Sequence, residues 1–394
     1  MQRDGANPID VTRALALICV IYGHSLMALW FQPSFADAAV AQWRIGAAFV
    51  MQALFFLSGL CWRETRSLSA TARQGALMIL LALAISILVD LIIWAIGAAG
   101  LAEAMRLPQA SLGQMWRHWV DMAEFADSYS AAPIWFLTAL AIARMIAALA
   151  IRMRPLFGLL TVLAFAVAAI LVREYGERNY FHIPAAGIGL IFFMGGHYAK
   201  RFYNKFSSSL TLAVAALVAG VGVLLAVVGR NTGCLLAGCE TKSGLYGAFI
   251  VDMSLGETGH PLWFAIASCA GIAALLGAGV VLSRLAPARR LARLGRNSLG
   301  LYVVHAALFT FATPIIFKIG ALVPNDHPLW FFACLFVASL GFYILAWKLL
   351  RHPMSFPRRI AYFSARRLVV DLPQAANATV RRMSARVSRA LSAL

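Results

Sequence analysis

The chain has 394 residues, of which 61% are hydrophobic and 13% charged, with a mean hydropathy of +0.78. Soluble domains carry about 25% charged residues, so a soluble globular fold is excluded and a polytopic membrane protein is indicated. The net charge of +18 comes from arginines scattered over separate loops; such a pattern reports membrane topology and attraction to anionic lipid and excludes a nucleic-acid surface.

Ten apolar runs long enough to span a bilayer follow one another: 9–31, 45–62, 75–96, 134–151, 156–172, 183–198, 210–228, 262–282, 299–317 and 329–350. Continuous runs of this length are helices, because lipid offers no partner for backbone N–H and C=O groups. The expected fold is therefore all-α, a polytopic transmembrane bundle over 1–351 with a basic tail over 352–394. Span 183–198 is short and rich in glycine, as a thin or bent span would be. With the N-terminus inside, most of the 34 Lys and Arg residues fall on one side, including Arg63, Arg66 and Arg73, Lys200, Arg201 and Lys205, and Arg284 to Arg296. Most of the 16 acids fall on the other. The positive-inside rule then puts both termini in the cytoplasm.

The first span is no cleavable signal peptide: it is too long, and it carries Asp10 and Arg13. In DVTRALALICVIYGH, a helix advancing about 100° per residue puts Asp10, Arg13 and His24 on one face, with His24 roughly 21 Å beyond Asp10. Such a stripe must meet protein or water rather than lipid. Two readings stand: an i, i+3 pair anchoring the helix with a packed histidine beyond it, or a functional stripe whose histidine moves a proton.

Further along, FFLSGLCWRETR places Arg63 and Arg66 three residues apart at the inner surface, a phosphate-binding fork or a plain positive anchor. Asp90 is isolated in the third span. Loop 97–132, with Trp116 and Trp119, is expected to touch a substrate on the outer side. Arg144 lies inside the fourth span, within snorkelling reach of the inner surface. His118, His182, His260 and His327 fall in outer loops and are expected to be solvated, and Cys234 and Cys239 form a possible periplasmic disulfide. In LGRNSLGLYVVH, Asn297 is a candidate N-cap, and Ser298, Tyr302 and His305 share a face at i, i+4 and i+7. The tail carries apolar residues at helical spacing opposite arginines, which suits either a helix lying on the inner leaflet or a disordered basic segment. No HExxH, CxxC pair or carboxylate cluster points to a metal.

These motifs resemble the membrane acyltransferase-3 family. DVTRALALICVIYGH resembles its first-helix signature and FFLSGLCWRETR its second; IWFLTAL, which contains Trp135, is similar to its Trp-Phe-Leu segment, and LGRNSLGLYVVH to its late helix. Their order matches from Asp10 to about residue 350, in the form without an added soluble domain. Gln52 stands where related sugar acetylases often have Pro. The resemblance implies an integral-membrane O-acyltransferase of a bacterial inner membrane. Its donor would be a cytoplasmic acyl-CoA of the acetyl or succinyl class, with no permanently bound cofactor, and its acceptor a glycan or glycolipid hydroxyl.

By the same resemblance, His24 is the essential histidine, Asp10 and Arg13 complete its signature, and His305 is the late-helix histidine. Arg63 and Arg66 bind the donor, and Tyr302, Ser298, Arg144 and Trp135 are secondary candidates. Tyr302 and His305 are expected to orient His24 or bind the oxyanion. A proton-coupled transporter would use the same Asp, Arg and His stripe, and a structural partner of a glycan exporter is a third reading.

Overall fold

The structure is a computed structural model. It describes residues 6–350 except 31, 33, 64–66, 102, 104–106, 108–110, 126–130, 176–178, 232–250, 287 and 324–327. The chain divides into two compact units, Met1–Phe342 and Tyr343–Leu394. The basic tail, Arg66, Cys234, Cys239 and His327 lie outside the described residues.

The described residues contain no strand. In chain order the helices are α1 (Pro8–Met27), α2 (Ala36–Ala47), α3 (Val50–Leu60), α4 (Leu68–Ala98), α5 (Leu112–Phe125), α6 (Trp135–Ala150), α7 (Pro155–Tyr175), α8 (Ile183–Ser208), α9 (Leu210–Val228), α10 (Pro261–Ser283), α11 (Ala288–Arg296), α12 (Ser298–Leu322) and α13 (Pro328–Leu350). Among the described residues nine stretches are long and apolar enough to cross a membrane: α1, α2 with α3, α4, α6, α7, α9, α10, α12 and α13. The protein is thus an all-α polytopic bundle. Its sixth expected span forms as α8, longer than predicted. The glycines, His197 and Lys200 in α8 keep its hydropathy below that of the other nine.

Start signals are local. Asn7 accepts a hydrogen bond from the N–H of Ile9 at 3.0 Å with Pro8 in the first turn of α1, and Ser67 accepts one from Ala70 to start α4. Packing is then decided by small residues. A Cβ on Gly59 would collide with the carbonyl of Phe193, and one on Gly196 with that of Phe56, so α3 and α8 touch backbone to backbone. Helices α1, α6 and α10 are the interior of the bundle, while α7 and α9 turn Leu156, Leu160, Leu163, Val218 and Leu225 outwards, the surface that lipid covers.

The second span differs from its expected form. It begins early, at Ala36, and breaks at Ala48 and Phe49. A break at membrane depth frees carbonyls that lipid cannot satisfy. Ser268 on α10 donates to the Ala48 carbonyl at 2.9 Å, and the fully buried Gln52 reaches the Ala47 carbonyl at 3.4 Å. Gln52, the residue that departs from the family pattern, is therefore one of the groups that seal the break.

Candidate active site

The break in the second span has a purpose in the geometry: residues on both sides of it line a cavity of about 310 Å³. Gly46 and Phe49 form one wall. Tyr22, Gly23 and His24 of α1 form another, with Tyr302 and Phe309 of α12, and Pro133, Trp135 and the segment 251–254 complete it.

His24 is held there by rings. It stacks on His305 with centroids 4.8 Å apart and planes 22° apart, and Phe309 meets it edge-on at 5.3 Å. His305 is fully buried behind it. Spacing explains the meeting: His24 follows Leu17 and Ile21, and His305 follows Leu301 and Tyr302, on the buried faces of α1 and α12. The Nδ1 of His24 is buried and has no hydrogen-bond partner among the described residues. Tyr302, one helical turn before His305, donates its hydroxyl to the carbonyl of Pro133 and packs edge-on against Phe136. That bond ties α12 to the turn that opens α6.

At the other end of α1 the sequence builds a charged cluster. Asp10 lies 3.8 Å from Arg13 and 3.5 Å from Arg296 of α11. The contact with α11 is close because Gly295 sits against the backbone carbonyl of Asp10, where a Cβ has no room, and because Ala288 and Ala292 pack on Val11. Cys61 lies beside Arg13, Asp10 and Lys200, and Lys200 donates to the carbonyl of Trp62 at 3.1 Å. The Tyr203 hydroxyl is buried near Cys61 and Asp10 without a hydrogen-bond partner among the described residues. Arg63 follows Trp62 and is exposed.

The family model for an acyltransferase domain, acyltransferase 3, matches residues 7–347. The chain belongs to the acyltransferase-3 family. No curated protein and no solved structure matches it. The chain is thus an acyltransferase in a multi-pass membrane bundle.

Within the acyltransferase, the predicted residues divide into two groups. His24, His305, Tyr302 and Trp135 gather at the cavity, where the Trp135 ring lies 6.0 Å from that of His182. Asp10, Arg13 and Arg63 gather at the basic end, with Arg144 nearby over the Trp62 ring at 5.7 Å. Arg144 therefore stacks inside the bundle and also contacts the Met78 sulfur at 3.5 Å. Ser298 begins α12 next to α11 and does not line the cavity. Asn297 is not a side-chain cap; its Nδ2 donates back to the carbonyl of Arg293 at 2.8 Å.

Several expectations change. Asp90 is not isolated: it accepts from Trp119 Nε1 at 3.1 Å, which docks α5 on α4. The cavity takes Ala132 from the end of loop 97–132 and Pro133 just after it, but neither Trp116 nor Trp119. His182 is buried rather than solvated, with Nδ1 3.1 Å from Asn179 Nδ2. His260 caps α10 by accepting from Leu262. Sequence reasoning missed Gln42, Trp43 and Asp252 on the cavity wall and Arg296 at the basic end. For Arg296 one signal was present, an arginine-rich helix directly before the His305 span; for the others none was, because α2 and the loop after α9 read as ordinary outer connections.

Proposed function

We propose that the enzyme moves a short acyl group, of the acetyl or succinyl class, from cytoplasmic acyl-CoA to a hydroxyl of a cell-envelope glycan or glycolipid in a bacterial inner membrane. The observation that carries this reading is the position of His24. It lines a cavity, stacked on a second buried histidine, on the same helix face as a charged cluster 14 residues away. That separation is roughly 21 Å along the axis, which suits a donor anchored at one surface and an acceptor arriving from the other.

Acyl-CoA is polyanionic. Arg63 and Arg66 hold its phosphates, with Arg13 and Arg296 of the basic end as further donors, since each guanidinium donates two parallel bonds to a phosphoryl group. The thioester then reaches the bundle interior. A thioester is already activated, so transfer mainly requires a positioned hydroxyl and a base. With Nδ1 of His24 buried, Nε2 is the nitrogen left to meet the acceptor. It takes the hydroxyl proton as the oxygen attacks the thioester carbon; the C–S bond breaks, and the proton passes to the departing CoA thiolate. In the other form of the step, Nε2 attacks the thioester carbon first, the C–S bond breaks and CoA leaves as the thiolate; the acceptor hydroxyl then displaces the imidazole from the acyl-imidazole, and its proton ends on the CoA sulfur.

The test is acyl transfer by His24→Ala in membranes at matched protein level. Transfer is expected to fall by about 10²–10⁴-fold; near-normal transfer overturns the assignment. Incubation with radiolabelled acyl-CoA and no acceptor separates the two forms, because only a nucleophilic His24 leaves label on the protein. For the donor site, Arg63→Ala with Arg66→Ala is expected to raise the KM for acyl-CoA, and an unchanged KM overturns the phosphate clamp.

A further inference from the structure

Among the described residues, one carboxylate lines the cavity around His24, and its setting is built. Asp252 lines the wall formed by residues 251–254. Its Oδ1 accepts two hydrogen bonds from Ser254, from the backbone N–H at 2.8 Å and the hydroxyl at 2.6 Å. Its backbone carbonyl accepts from the N–H of Glu257 at 2.8 Å. The carbonyl of Ser254 accepts from Asn179 Nδ2 at 2.8 Å, and the loop returns to α10 through Asn231, whose side chain bonds Thr258 and His260 at 2.8 and 3.1 Å. One oxygen of Asp252 is thereby fixed in place. The other, Oδ2, has no hydrogen-bond partner among the described residues.

The rest of the wall suits a flat polyhydroxylated ring. Two indoles, Trp43 and Trp135, line the same space, and Gln42 is held there by the Tyr22 hydroxyl, which donates to its Oε1 at 2.6 Å. Aromatic faces pack the C–H side of such a ring while a carboxylate and an amide take its hydroxyls. A volume of about 310 Å³ lies at the low end of small-molecule sites, roughly 300–1,000 Å³, enough for one ring with a short acyl group.

Charge then selects among rings. A fixed carboxylate in a confined, largely apolar site attracts O–H and ammonium donors and repels a carboxylate or phosphate. We infer that Asp252 is the acceptor-reading residue, and that the unit entering this cavity is a neutral or amino-bearing sugar ring rather than a uronate or a phosphorylated sugar. The inference rests on the proposed acyl-transfer reading for its role, and its recognition step is independent of catalysis.

The experiment is therefore equilibrium binding to the purified full chain in detergent, read by tryptophan fluorescence from Trp43 and Trp135. The probes are methyl glucoside, methyl glucosaminide and methyl glucuronide. The first two are expected to bind, and the glucuronide to bind more weakly by roughly tenfold or more. Asp252→Asn keeps the Oδ1 acceptor for Ser254 and removes the charge, so it is expected to close most of that gap; Asp252→Glu is expected to keep it. Equal or tighter glucuronide binding by the parent, an Asp252→Asn profile identical to the parent, or no glycoside binding each overturns the inference. If binding follows the expected order while acetyl-CoA supports no transfer, the proposed reaction fails and the recognition site stands.

Discussion

The two ends of α1 solve opposite problems. Around His24 the side chains beside the cavity are held by rings: His24 stacks on His305 and meets Phe309 edge-on, and Tyr302 packs edge-on against Phe136. Around Asp10 the carboxylate is buried while its partners reach the surface: the side chain of Arg296 remains 57% exposed and that of Arg13 30%. Solvent around the two guanidinium groups weakens each pair, and the buried carboxylate depends on those partners to stay charged. The contrast teaches where each kind of change acts. Near His24, altering a side chain disturbs packing and chemistry together. Near Asp10, altering an exposed arginine disturbs what is bound there and leaves the bundle standing.

The sharpest way to break this contrast is at His24 and His305. His24→Gln keeps much of the volume and removes the imidazole, and transfer is expected to fall by about 10²–10⁴-fold in kcat with the donor KM unchanged. His305→Ala removes the ring on which His24 stacks and opens a void behind it. A smaller loss in kcat, on the order of 10- to 100-fold, is expected, together with a stability loss of about 2–4 kcal/mol of the kind that ring deletions from a packed core produce. Denaturation in detergent and single-turnover kinetics check both. A donor KM that moves with kcat in either variant removes the distinction between the two ends.

Asp10→Asn tests the other end. It frees Arg13 and Arg296 from the carboxylate they share. Stability is expected to fall by about 1–2 kcal/mol, because a buried charged acceptor is lost, while the KM for acyl-CoA shifts by roughly three- to tenfold, more at low salt than at high, because the charges of the exposed arginines are screened beyond about 10 Å at 0.1 M. A KM that does not respond to ionic strength would remove the arginines from donor binding. A large stability loss would make Asp10 structural.

How far these regions were legible beforehand differs for a physical reason. Asp10, Arg13 and His24 lie on one helix, and helical periodicity alone puts them on one face; the 3.8 Å pair between Asp10 and Arg13 follows from i, i+3 spacing. The hydropathy of the runs gave away the bundle itself. What joined His24 to His305, or Asp10 to Arg296, was packing between helices hundreds of residues apart, and that depends on small residues such as Gly295, whose role no local pattern reports. The break between α2 and α3 was hidden for the same reason: the break residues Ala48 and Phe49 are neither Pro nor Gly, and the freed carbonyls are satisfied by Ser268 from another helix and by Gln52. Asp90 looked misplaced because its partner, Trp119, arrives from a loop beyond the span.

The smallest expected effect discriminates best between two roles for Tyr302. As an oxyanion donor, its hydroxyl would have to be available to the reacting carbonyl. In the structure that proton is already given to the Pro133 carbonyl, at the turn that opens α6. A phenol has one O–H to donate, so it cannot serve the substrate without releasing Pro133. Tyr302→Phe keeps the ring that packs on Phe136 and leaves the carbonyl without this donor. The expected cost is about 1 kcal/mol of stability, with transfer slowed by no more than about fivefold, the same free energy expressed in rate. The phenylalanine variant should also show no change in donor KM, because Tyr302 lies in the His24 cavity and not at the basic end. A loss in kcat near that of His24→Gln, with stability unchanged, would instead mean that the hydroxyl leaves Pro133 during the reaction and stabilises the transition state itself.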